Sequence, residues 1–175
     1  MTILWRWPLA LVLGAASVAL SAQFALPVPF SPVPMTLQGL AVLLVGGLLG
    51  GAAGAGALVL YLVLGAFGAP VFAMGTAGLP RLLGPTGGYL LAFPLAAAMV
   101  GRIALRGRLV RCLLGSLAGM LTIHAAGLAQ LLILQYPLNR AIQLGTTPFL
   151  GADLLKVAVA SVLLTRFHQA LRPQI

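Results

Sequence analysis

Residues 109–136 read LVRCLLGSLAGMLTIHAAGLAQLLILQY, a stretch whose only charged side chain is Arg111. Wound as a helix at about 1.5 Å per residue, it reaches beyond the roughly 30 Å of hydrocarbon in a bilayer. Five further apolar stretches flank it, giving spans at about 8–26, 35–49, 52–67, 85–102, 109–136 and 148–167. The first ends before Pro27, because the residue preceding a proline avoids the helical region. Pro94 marks a kink in the fourth, and Pro148 suits a first helical turn in the sixth. Spans two and three are short. The fold class read from this pattern is an all-α polytopic membrane protein. It has six transmembrane helices in a single integral membrane domain over 1–175.

Composition agrees. Apolar residues of the set AVILMFWYC make up 61% of the 175 residues and charged residues only 6%, against a usual charged share of about 25%. Mean hydropathy is +1.12. So few charges cannot cover a soluble surface of this size. One acid, Asp153, stands against ten bases, and most of the bases sit at the ends of apolar runs. That placement is one of membrane topology rather than of a nucleic-acid surface. A single acid excludes chemistry that needs paired carboxylates. The single cysteine, Cys112, excludes an internal disulfide or a cysteine-rich metal site. No Walker A pattern occurs, so the chain does not hydrolyse ATP through a P-loop.

Six spans place both termini on one side. Arg6, Arg102, Arg106, Arg108, Arg111, Arg166 and Arg172 fall on that side and only Arg81 and Arg140 on the other, which makes the termini cytoplasmic. The first 22 residues also resemble a signal peptide, with Arg6, an apolar run and Ala19-Leu20-Ser21. The apolar run outlasts a usual signal core, and its removal would leave five spans. The cytoplasmic connections are brief. The outer ones, 27–34, 69–84 and 137–147, are longer, rich in Pro or Gly, and too apolar for disorder, so they are expected to fold over something at the outer face.

Gly46, Gly50 and Gly54, with Gly47 and Gly51, form small-residue series that let helix backbones approach closely. Asp153 and Lys156, the only acid and the only lysine, lie three apart near the outer end of span six and share a helix face. Ionisable groups inside a span are costly and mark a functional site by default. The pair reads either as a polar clamp for a ligand or as a self-neutralising pair that fixes packing. His124, inside span five, has no second ligand at metal-binding spacing and reads as a hydrogen-bonded core histidine. Its pairing with Ser116 as an intramembrane protease is too short a pattern to be specific. Arg81 is an isolated outer cation, either an interfacial anchor or an anion-binding group.

Three stretches resemble one family. They are SAQ at 21–23 followed by PVPFSPVPMTLQ at 27–38, then LGAFGAPVFA at 64–73 followed by LGPTGGYL at 83–90, and last PFLGADLLK at 148–156. The chain resembles the BioY family, the biotin-binding S components of energy-coupling-factor (ECF) transporters, from about Ala10 to Arg166. The resemblance implies the ECF S-component fold and a biotin pocket near the outer face, capped by loops. It gives Asp153 and Lys156 the ureido ring, with Tyr89, Gln38 and Thr36 in matching motifs. Arg81 is assigned to the valerate carboxylate, and Phe30, Phe72 and Phe149 to apolar walls. Gly87 and Gly88 would let backbone approach the ligand. Ala15 and Ala19 on span one are the small residues expected to dock a partner.

The implied partners are a transmembrane coupling subunit and two cytoplasmic ATPases. Membrane lipid surrounds the chain, a homo-oligomer is left open, and no nucleic acid is involved. No cofactor is implied, since biotin is the transported ligand, and the chain is no enzyme. The implied setting is a bacterial or archaeal cytoplasmic membrane. Toppling of the S component is the family's proposed way of turning the site inward. The rivals are an S component for another water-soluble vitamin, a membrane transferase, which the single acid argues against, and a structural assembly subunit, which leaves the intramembrane charge pair unexplained.

Overall fold

The structure, a computed structural model, describes residues 6–170. Trp5 and Arg172, and the side chains of Arg6 and Arg106, lie outside the described residues. The helices are α1 (Arg6–Gln23), α2 (Gln38–Leu49), α3 (Gly51–Ala66), α4 (Leu79–Leu83), α5 (Gly87–Leu91), α6 (Phe93–Ile103), α7 (Leu109–Ile133), α8 (Leu138–Gly145) and α9 (Leu150–Ala170). By length and hydropathy α7 and the helical stretch Leu138–Ala170, which runs through α8 into α9, each suffice to cross a bilayer, while the other apolar helices are shorter.

The breaks follow local chemistry. α1 stops at Gln23, three residues short of the expected Leu26, because Ala25–Leu26 is extended and pairs antiparallel with Met35–Thr36. Extended backbone before Pro27 satisfies both proline and ladder. Gly50, at φ +83°, turns the chain between α2 and α3 in a single residue, a conformation open to glycine. α5 and α6 part at Ala92, and Pro94 stands in the first turn of α6, where its missing N–H costs nothing. Pro148 lies in a single 3₁₀ turn, Thr147–Phe149, rather than within α9.

The long helices carry large apolar side chains on their outer faces as well as in the core. On α9 the buried positions are Asp153, Val157, Ala160, Ser161 and Leu164, while Leu150, Leu154, Leu155, Val162 and Leu163 face outward. On α7, Gly115, Ser116 and Gly119 are buried and Leu113, Leu114, Leu117 and Leu121 are exposed. Polar and small groups inside with leucine outside is what a lipid solvent selects.

α6 sits centrally against α2, α3 and α7, with α1 packed on α3 and α9 on α2 and α7. Near the termini the bundle closes backbone to backbone. A Cβ on Gly46 would strike Ala97 of α6, one on Gly54 would lie 2.9 Å from Gly46, and one on Gly101 would strike the Gly50–Gly51 turn. At the opposite end the core is aromatic, with Tyr61, Phe72, Tyr89, Phe93 and Phe149 buried. Larger side chains, the α5–α6 break and the loops hold the helices apart there, and a cavity opens.

Candidate functional site

The cavity lies at the end of the bundle remote from both termini. It encloses about 710 Å³ of empty space, the open solvent at its mouth included. The extended pair before α2 supplies Thr36, the start of α2 supplies Gln38 and Gly39, α5 supplies Tyr89 and Leu90, and α6 supplies Phe93. α7 supplies Met120, Ile123 and His124, and α9 supplies Asp153 and Lys156. The loops before α2 and α5 add Val33, Pro34, Phe72, Thr76, Arg81 and Thr86.

Its polar centre is a trio. Lys156 Nζ donates to Asp153 Oδ1 at 2.7 Å, and His124 Nε2 donates to Asp153 Oδ2 at 2.8 Å. The side chains are 11–13% exposed. Lys156 comes from the same helix face, one turn on, whereas His124 reaches across from α7. The ammonium keeps two N–H donors, and each carboxylate oxygen keeps an acceptor position. The site thus presents donor beside acceptor in an apolar surround. Gln38 is fixed by a bond from its Nε2 to Tyr61 Oη at 2.6 Å and by one from Thr36 Oγ1 to its Oε1 at 3.2 Å. Arg81 stands at the mouth, shared with a second hollow under the 27–34 loop. Among the described residues it has no acid partner.

Asp153, Lys156, Gln38, Thr36, Arg81, Tyr89, Phe72 and Phe149 therefore meet around one cavity. Other expected residues do not join them. Phe30 is 63% exposed on its loop and lines no part of the cavity; the turn around Ser31, whose hydroxyl donates to Leu144 O at 2.6 Å, leaves it outside. Gly87 and Gly88 do not line the cavity, and side chains there would strike the carbonyls of Leu82 and Ala126. Tyr89 contributes its ring, but its hydroxyl donates to Gly145 O at 2.7 Å, tying α8 to α5. Ala15 is 3% exposed, and Ala19 packs against the same core, so both turn inward rather than forming an open face.

His124 is the main residue that sequence reading left outside the site. The signal was present: the rule that singles out intramembrane charges applies equally to an imidazole, and Met120, Ile123, His124 and Gly127 share one helical face. Ser116, eight residues before His124 on α7, is about 12 Å away along the axis, so the two form no catalytic pair. Phe93, Thr76 and Thr86 carried no distinguishing signal.

Fold and site together define a membrane-embedded helical bundle with a small-molecule cavity. A crystal structure of the S component for biotin from an ECF-type ABC transporter has the same fold, with a TM-score of 0.86 over 97% of this chain and 95% of that one, at 23% identity. The chain belongs to the BioY family, whose model matches residues 5–173. It is 40% identical to the probable biotin transporter BioY of Pyrococcus horikoshii over 160 residues, covering 89% of this chain and 94% of that protein. It is 39% identical to the biotin transporter BioY of Thermotoga maritima over 143 residues, covering 81% and 85%. The family and the structural neighbour are transporter components, not enzymes.

Proposed function

We propose that the protein captures biotin at the outer face of a cytoplasmic membrane, as the substrate-binding subunit of an ECF-type transporter. One observation carries this reading: the Lys156–Asp153–His124 trio in an otherwise apolar cavity, in a chain of the BioY family. A cyclic urea has an N–H next to its carbonyl. Asp153 accepts from that N–H, and the free donors of Lys156 meet the carbonyl. Polar groups taken from water without partners cost several kcal/mol, so the complementary edge selects for such a ring. Phe72, Phe93, Ile123 and Phe149 offer apolar surface to the bicyclic ring and chain. Arg81, at the mouth, suits the carboxylate.

Energy comes from partners, a transmembrane coupling subunit and two ATPases, and no cofactor takes part. A site built within one chain requires no second copy. Arg102, Arg108, Arg111 and Arg166 are exposed at the end that holds the termini, which supports cytoplasmic termini and six crossings. Calorimetric titration of the detergent-solubilised protein with biotin, after co-purified ligand is removed, tests the reading. Tight one-site binding supports it. Absence of binding by folded, ligand-free protein reassigns the cavity to another vitamin.

A further inference from the structure

We infer that His124 is a positioning residue for the ureido end of the ligand, holding Asp153 so that its carboxylate faces the cavity as a fixed acceptor. The inference rests on the biotin reading above. Lys156 and Asp153 belong to one helix face, so their bond by itself does not reference the carboxylate to the rest of the bundle. With that bond alone, the carboxyl plane is free to turn both oxygens toward the ammonium. The pair then neutralises itself and withdraws its acceptor from the cavity. His124, anchored on α7, takes Oδ2 at 2.8 Å while Lys156 takes Oδ1 at 2.7 Å. Two bonds from two helices set the plane and leave one acceptor position per oxygen unfilled.

The imidazole is itself held by packing. Since a carboxylate only accepts, Nε2 carries the proton of this bond. Nδ1 is buried and, among the described residues, has no hydrogen-bond partner. The ring stands edge-on to Tyr89, 6.3 Å between centroids at 81°, and Tyr89 is pinned through its hydroxyl to Gly145. His124 therefore has one polar function, and it is directed at Asp153.

The test compares His124→Ala, His124→Gln and Asp153→Asn, singly and combined, by biotin titration. Wild-type binding is measured first, and its absence would defeat the biotin reading and not this inference alone. Given wild-type binding, His124→Ala should weaken affinity roughly tenfold to a hundredfold, the worth of a hydrogen bond to a charged group. His124→Gln, which keeps a donor, should restore most of it. In the Asp153→Asn background, His124→Ala should add about twofold or less, because the two act as one unit. Nitrogen NMR of the wild-type imidazole, with biotin absent and present, should show a proton on Nε2 and a bare Nδ1, a readout independent of whether any variant folds. Unchanged affinity in His124→Ala, multiplying effects in the double variant, no rescue by folded His124→Gln, or a proton on Nδ1 and none on Nε2 would each overturn the inference.

Discussion

Consider the removal of the charge on Asp153. In Asp153→Asn one of the two oxygens that Lys156 and His124 now hold at 2.7 and 2.8 Å becomes an NH₂ donor. The gross attraction lost from the Lys156 pair is about 6 kcal/mol at 2.7 Å and an effective dielectric of 20. Desolvation offsets much of that, and breaking a buried pair costs about 3–5 kcal/mol in net stability. The low end applies, since the side chains are 11–12% exposed and line a cavity. Asp153→Asn should therefore destabilise the protein by about 3 kcal/mol while leaving it folded. Replacing both partners, in Asp153→Asn with Lys156→Met, should recover most of that loss, because no uncompensated cation remains. Binding behaves differently. Asp153→Asn should weaken biotin by about 2–3 kcal/mol, roughly thirtyfold to 150-fold, and the double variant should bind no better.

Cys112 provides the stability assay. It is the only cysteine and is buried, so a fluorogenic thiol reagent reacts as the bundle unfolds on heating. Trp7 lies at the opposite end from the cavity, which makes calorimetry the better readout of binding. A double variant as unstable as the single one would refute the charge argument. Wild-type affinity in either variant would refute the role of Asp153 as acceptor, and the pair would then be the packing device that its sequence also allows.

Three other substitutions probe separate parts of the site. Arg81→Ala should weaken biotin while leaving the affinity for its uncharged carboxamide nearly unchanged, by titration of both; equal losses would remove Arg81 from the carboxylate. Tyr89→Phe deletes the 2.7 Å bond to Gly145 O and should lower stability by about 1 kcal/mol, with little change in biotin affinity because the hydroxyl is already engaged; a large affinity loss would place that hydroxyl on the ligand. Gly88→Val pushes a branched side chain into the Ala126 carbonyl and Gln130 and should lower the unfolding temperature by several degrees, as overpacking typically costs about 1–3 kcal/mol; unchanged stability would mean that α5 and α7 pack loosely.

Asp153 and Lys156 were legible as a site because charges inside a span have few other reasons to be there. His124 was not, because a lone imidazole in an apolar helix has a structural default, and only the α7–α9 packing brings it to Asp153. The aromatic walls were half legible. Phe72 and Phe149 face the cavity, whereas Phe30 does not and Phe93 takes a share of the wall instead. A loop phenylalanine carries no periodicity to orient it, so its side is decided by turn geometry such as the Ser31 bond to Leu144. Gly87 and Gly88 show a related ambiguity: a glycine permits close approach without saying of what, and here it is the α4–α5 and α5–α7 backbones. Helix ends followed Pro and Gly, except where a two-residue ribbon claimed Ala25–Leu26 and where α7 stops at Ile133, short of Tyr136, ahead of Gln135 at φ +66°.

The two ends of the bundle constrain how a captured molecule could travel. Below the cavity, the core is closed by backbone contacts: Gly46 on Ala97, Gly54 on Gly46, and Gly101 on the Gly50–Gly51 turn. A passage along the axis would have to part contacts that already lack side chains, so no rotamer change can open it. Helix separation there would also expose backbone groups that lipid cannot satisfy. The polar groups that would line such a passage are sparse, since Ser161 donates to Val157 O within its own helix and Ser116 Oγ has no partner among the described residues. At the cavity end, by contrast, the cover consists of the 27–34 loop and the segment from Phe67 to α4, with single tethers such as the bond from Ser31 to Leu144 of α8. Under the proposed function, a site that opens at one end of a close-packed body would deliver to the other side by movement of that body, with the external energy module supplying the work.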